Sequence, residues 1–160
     1  MKITILCVGK IKEKYYRDAF NEYQKRLSRY CTLSVCEVED EKTVEKPTGA
    51  QRAMILNREG RRLLASISDR DYCIALAIDG KKTDSVGFSD NLSRLLSDGR
   101  YGRICFIIGG SLGLSEEVLR RADQQLSFSD LTFPHQLMRV ILAEQIYRAF
   151  RIMRGEPYHK

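Results

Sequence analysis

YCIALAID, residues 72–79, is apolar at almost every position and closes on an aspartate. A half-buried strand would alternate apolar and polar residues. An unbroken run instead marks a central parallel strand covered on both faces. RICFIIGG (103–110) repeats the pattern and ends in two glycines. ITILCV (3–8), closed by Gly9, is a third buried strand, and TLSVCEV (32–38) reads as a fourth. LSFSDLTF (126–133) reads as a strand passing into a loop.

Helical patterns separate these runs. Tyr16, Phe20, Tyr23, Leu27 and Tyr30 recur at spacings of four and three, a core-facing stripe opposite a Lys/Arg face. DEKTVEKP (40–47) is a charged, mobile-looking connection. Thr48 and Gln51 then form a capping box for a helix running to about Ser68. Gly80 to Gly87 reads as a loop before a helix of about ten residues with Leu92, Leu95 and Leu96 inward. Ser115 is placed to cap a short helix, with Glu116 and Glu117 in its first turn. Pro134 opens the last helix at its N1 position, and Gly155 stops it. Alternating strands and helices predict an α/β fold: a mostly parallel sheet flanked by helices, in one domain over 1–160. Ligands in such sheets sit beyond the C-terminal strand ends. The glycine-bearing loops at Gly80 and at Gly109–Gly110 fall there, as does the loop at Ser129–Phe133.

Twenty-seven Lys and Arg against 21 acidic residues leave a formal charge of +6, which suits a polyanionic partner without requiring one. Basic residues gather over 10–30 and 134–160, where Arg139, Arg148, Arg151, Arg154 and Lys160 face Glu144 and Glu156 alone. Phosphate contacts and a plain solvated helix face both explain that bias. The five cysteines are widely spaced and form no CxxC pair, so neither a zinc site nor a disulfide framework is expected. That usage predicts a reducing, cytoplasmic setting. MKITILCVGK is too short for a signal peptide, and no stretch approaches a membrane span.

IIGGSLGLS (107–115) is neither the dinucleotide fingerprint nor a P-loop, since it lacks the P-loop lysine and lies late in the chain. Its glycines would admit a ligand close to the backbone, or simply make a tight turn. His135, in the first turn of a helix, could bind a ligand or cap the turn. His159 lies in a polar tail that Pro157 and Tyr158 could dock.

As a whole the chain resembles the ribosomal large subunit methyltransferase H family, a branch of the knotted SPOUT methyltransferases. FPHQLMRVILAEQIYRAFRIMRGEPYHK (133–160), IIGGSLGLS and LSFSDLTF carry the likeness, with KITILCVGKIKEKY (2–15) and LAIDGK (76–81). The resemblance implies a C-terminal trefoil knot, a homodimer, and S-adenosyl-L-methionine as methyl donor. It implies methylation of N3 of pseudouridine 1915, in helix 69 of 23S rRNA within the 70S ribosome. No DNA or membrane partner is implied. Its cofactor pocket falls on Leu76, Gly109 beside Gly110, and Phe128, Ser129, Asp130, Leu131, Thr132 and Phe133. Its tail signature falls on Tyr158 and His159, and its basic terminal helix on Arg148, Arg151 and Arg154. The tail would lie over the active site from the neighbouring subunit. His159 would accept a proton or bind the base, Arg154 and Arg148 would stabilise negative charge, and Tyr158 would stack on the base or pin the tail. After LAIDGK the sequence departs from the family: Ser85 aligns with a family serine, but Asp84 and Val86 replace its Ser and Glu neighbours. Three other readings stay open: a noncatalytic ribosome-assembly factor, a nucleotide-binding α/β enzyme, and methylation of another RNA such as transfer RNA.

Overall fold

A computed structural model describes residues 2–160. Its five strands are β1 (Lys2–Val8), β2 (Thr32–Val38), β3 (Asp71–Lys82), β4 (Arg103–Ile108) and β5 (Gln124–Ser127). The helices are α1 (Lys14–Leu27), α2 (Gly49–Ala65), α3 (Ser85–Ser97), α4 (Glu116–Arg121) and α5 (His135–Met153). The strands form one sheet in the order β2-β1-β4-β3-β5, and every pairing is parallel.

Strand hydropathy follows position. β1 and β4, inside the sheet, are buried nearly end to end, whereas the edge strand β2 alternates with exposed residues. Successive side chains point to opposite faces. Ile3, Ile5, Ile104 and Phe106 therefore join α1, α3 and α5 in one core, containing Phe20, Leu92, Ile146 and Phe150. Leu6, Val8, Cys105 and Ile107 meet Leu63 of α2 and Val118 of α4 in a second. Burial pushes the Cys7 thiol up to about 12, so it packs as a neutral apolar group.

Four boundaries differ from the sequence reading. β3 runs on to Lys82, where a loop beginning at Gly80 was expected. Both Leu76 and Lys81 pair with Leu126, so β3 bulges between two contacts with one residue of β5. Gly80 makes this possible: a Cβ there would lie 2.7 Å from the Leu126 backbone. α1 ends at Leu27, and Tyr30, in the turn beyond it, stacks on Phe150 at 5.4 Å. α2 ends at Ala65, short of Ser68, after the expected capping box of Thr48 and Gln51. Pro134 is the N-cap of α5, with φ −53° and ψ 136°, so His135 is the first helical residue. The extended ψ keeps Pro134 outside the helix. Gly155 ends α5 with φ +61°.

Candidate functional site

β3, β4 and β5 deliver their C-terminal ends to one side of the sheet, and a cavity of about 680 Å³ opens there. Leu76, Ala77 and Ile78 of β3 form one wall, and Ile108 to Gly113 form the second. The segment from Leu126 to His135, apart from Asp130, supplies the third, and Arg52 of α2 stands at the side.

The second wall folds this tightly because of its glycines. The N–H of Gly113 donates to the Gly110 carbonyl at 3.1 Å, and Gly113 itself has φ +90°. Any Cβ on Gly109 would strike the backbone of Gly113, and one on Gly110 would stand 3.2 Å from both Glu59 and Val8. The glycines therefore let this turn close on itself and on Glu59 and Val8, and its backbone lines the cavity. The third wall is held by Ser129, whose hydroxyl accepts from the Leu131 N–H at 2.9 Å. Leu131 is 70% exposed and Ile78 51%, an unusual display of aliphatic surface at a cavity mouth.

Two titratable groups beside the cavity are set by burial. Glu59 of α2 is only 4% exposed. Its Oε1 accepts from the Glu41 N–H at 3.1 Å, and its Oε2 has no partner among the described residues. Desolvation raises its pKa above the usual carboxylate range. His135 lines the cavity with a buried Nδ1 that has no partner among the described residues; burial, then the Arg139 charge, lowers its pKa and keeps the imidazole neutral. Behind it Arg139, fully buried, donates to the Val8 and Gly9 carbonyls and pairs with Glu37 at 2.8 Å, which ties α5 to the end of β1.

A second cluster lies further along α5. The Tyr158 hydroxyl donates to Glu144 Oε1 at 3.0 Å, and its ring meets Tyr147 edge-on at 5.0 Å. Burial and the Glu144 bond push the Tyr158 phenol up to about 12, so it is a donor rather than a base. The Arg148 guanidinium bonds Glu144, covers the Tyr158 ring at 4.7 Å and donates to His159 Nδ1 at 3.4 Å. Arg154 lies over the Tyr30 ring at 4.9 Å, and Arg151 pairs with Glu156.

Of the residues singled out from sequence, Leu76, Gly109, Gly110, Phe128, Ser129, Leu131, Thr132 and Phe133 share the cavity. Asp130 lies outside its lining and binds Lys82 at 2.6 Å in solvent. Arg148, Arg154, Tyr158 and His159 are also outside it, on the tail cluster of the same chain. Arg148 is thirteen positions after His135, roughly 20 Å along the helix. Sequence reading passed over Arg52 and Glu59, which fall on exposed-looking and charged stretches of α2. Glu144, four residues before Arg148 and paired with it, also accepts from Tyr158 and Gln145, which no sequence pattern marks.

Among the described residues no helix is long and apolar enough to cross a membrane, and no group of His, Cys, Asp or Glu stands close enough to hold a metal. A family model described as "Predicted SPOUT methyltransferase" matches residues 1–159. The chain is 54% identical to the ribosomal RNA large subunit methyltransferase H of Clostridium kluyveri over 160 residues, 100% of both chains. It is 51% and 54% identical to the proteins of that name from Enterococcus faecalis and Clostridioides difficile, with the same coverage. Among solved structures, a probable methylase family protein from Haemophilus influenzae shares the fold. That match has a TM-score of 0.57 at 13% identity and covers 99% of this chain and 70% of the other.

Proposed function

The chain belongs to the SPOUT methyltransferase family, and from that premise we propose that it methylates large-subunit ribosomal RNA with S-adenosyl-L-methionine as donor. The proposed target is N3 of pseudouridine 1915 in helix 69 of 23S rRNA, on the assembled ribosome in the cytoplasm. The working form is a homodimer of single-domain subunits, each residues 1–160, with the knot of its family. The observation that carries the reading is the glycine cradle at Gly109–Gly113 facing the apolar walls at Leu76 and Phe128–Phe133.

These residues fit the donor. Its adenine needs a flat apolar slot with backbone groups at its edge, and the cavity offers Leu76, Ile108 and Phe128 beside the Gly109–Gly113 backbone, whose tight turn the missing Cβ atoms of Gly109 and Gly110 allow. When bound, S-adenosyl-L-methionine supplies the methyl group: an N–C bond forms at N3, the S–C bond breaks, S-adenosylhomocysteine leaves, and the N3 proton is released. The three walls fix the orientation of both reactants. His159 takes the N3 proton on the nitrogen freed when Nδ1 leaves Arg148, because while that bond lasts the neutral ring carries its own proton on Nε2. Arg148 and Arg154 stabilise negative charge on the imide. Tyr158, held protonated, anchors the tail through Glu144.

Calorimetric titration with S-adenosyl-L-methionine should saturate at one molecule per chain. Gly109→Ala should weaken binding at least about tenfold while thermal melting stays cooperative. A wild-type protein that melts cooperatively yet binds no donor would contradict the proposal.

A further inference from the structure

A second, smaller cavity of about 370 Å³ adjoins the first. Phe128 and Phe133 line both. The remaining lining combines Phe88 and Ile141 with polar groups at the start of α3 and on α5: Thr83, Asp84, Ser85 and Gln145. Its size lies near the lower end of the range for ligand pockets, about 300–1,000 Å³. It is too small for a second nucleotide cofactor and sufficient for one ring.

The polar groups are already organised. The Ser85 hydroxyl donates to Gln145 Oε1 at 2.9 Å, and Gln145 Nε2 donates to Glu144 Oε2 at 2.7 Å. Glu144 Oε1 in turn accepts from Tyr158 and Arg148, and Arg148 meets His159. One run of hydrogen bonds thus joins the small cavity to the tail, while its aromatic wall joins it to the large cavity. Ser85 keeps lone pairs to accept an N–H, and Gln145 keeps one amide N–H to donate. An N–H beside a carbonyl, as on the N1–C2 edge of a C5-linked uracil ring, needs that pairing. Asp84 binds the Gly87 N–H at 2.7 Å through Oδ1 alone, which leaves Oδ2 at the rim.

We propose that this cavity is the subsite for the target base: a single uracil-type ring, unstacked from the RNA, packs against Phe128 and Phe133 and presents its N1–H and C2 carbonyl to Ser85 and Gln145, which leaves N3 open to the donor. The inference rests on the rRNA methyltransferase reading and adds the residues that select the base. Aromatic faces with fixed amide and hydroxyl groups are the usual means of holding an extruded base. Ser85 and Gln145 are binding residues here; the proton transfer belongs to the tail. A free N1–H also distinguishes the C5-linked ring from uridine and cytidine, whose N1 carries the ribose.

The test uses Ser85→Ala and Gln145→Met in the full-length protein. Single-turnover methyl transfer to assembled ribosomes is measured together with donor affinity, sedimentation, and NMR titration of the S-adenosylhomocysteine complex with free pseudouridine. Each variant should bind the donor as wild type does and lose about ten- to a hundredfold in kcat/KM. The nucleoside should shift the signals of Ser85, Gln145 and Phe128 in wild type and not in the variants. Wild-type kcat/KM in both variants would overturn the inference and leave the methyltransferase reading standing. Loss of self-association in both would assign the cavity to subunit packing and overturn it equally. Absence of transfer by wild-type protein would remove the reading on which the inference rests.

Discussion

Glu59 shows how far a single residue can hide in a sequence. It sits between Arg58 and Gly60 on a helix crowded with arginines, and nothing in that pattern marks it as buried. Burial is imposed from outside, by the glycine loop at Gly110 and the Glu41 backbone. Its raised pKa means the folded state holds its proton above the ordinary Glu range near 4.5. From there up to the folded value the native state binds more protons, so stability falls as pH rises. Arg62 and Asp40 face the same carboxyl and act in opposite directions; Arg62 is engaged by Glu41. Glu59→Gln keeps the acceptor for the Glu41 N–H and removes the charge. Thermal melts should place the variant above wild type at pH 8, with the gap closing toward pH 4. A gap that instead widens as pH falls would contradict this account. Gly109 and Gly110 were legible because they follow an unbroken apolar run, and the third wall as a loop after a short strand, its pocket role coming from the family likeness; Arg52 and His135 acquire their places only through tertiary packing.

At the scale of elements, periodicity located every strand and helix, and the capping box at Thr48 placed the start of α2. The end of β3 was not legible. Gly80 and the polar residues after it look like a loop, yet β5 draws them into the sheet. Local sequence has no record of a strand arriving more than forty residues later. Gly80 is the joint, because only a residue without a Cβ lets the two backbones approach so closely. Gly80→Ala should therefore push β5 from β3 and disturb the walls at Ser127 and Phe128. The expected result is a lower melting temperature with a donor affinity reduced about tenfold or more. Unchanged melting and affinity would show that this close crossing does not hold the site.

For the whole molecule, the three-layer architecture could be read from alternating apolar runs, whereas knot and dimer came only from resemblance. Topological rules disfavour knots, and no pattern of local periodicity encodes a second subunit. The tail poses the question sharply, since Tyr158 and His159 dock on their own chain, away from the large cavity. A mixing experiment decides which subunit they serve. Gly109→Trp chains, blocked at the donor cavity, are combined with His159→Ala chains. If tails act across the dimer, random exchange restores one complete site in each mixed dimer, about one quarter of wild-type activity per chain. No recovery would place the tail with its own subunit. The central claim is most directly tested by incubating the protein with labelled S-adenosyl-L-methionine and ribosomes from cells lacking this methylation, then mapping the modified nucleotide by mass spectrometry. The account predicts one methyl group at N3 of pseudouridine 1915. A donor-binding dimer that labels transfer RNA, another rRNA position, or nothing at all would contradict it.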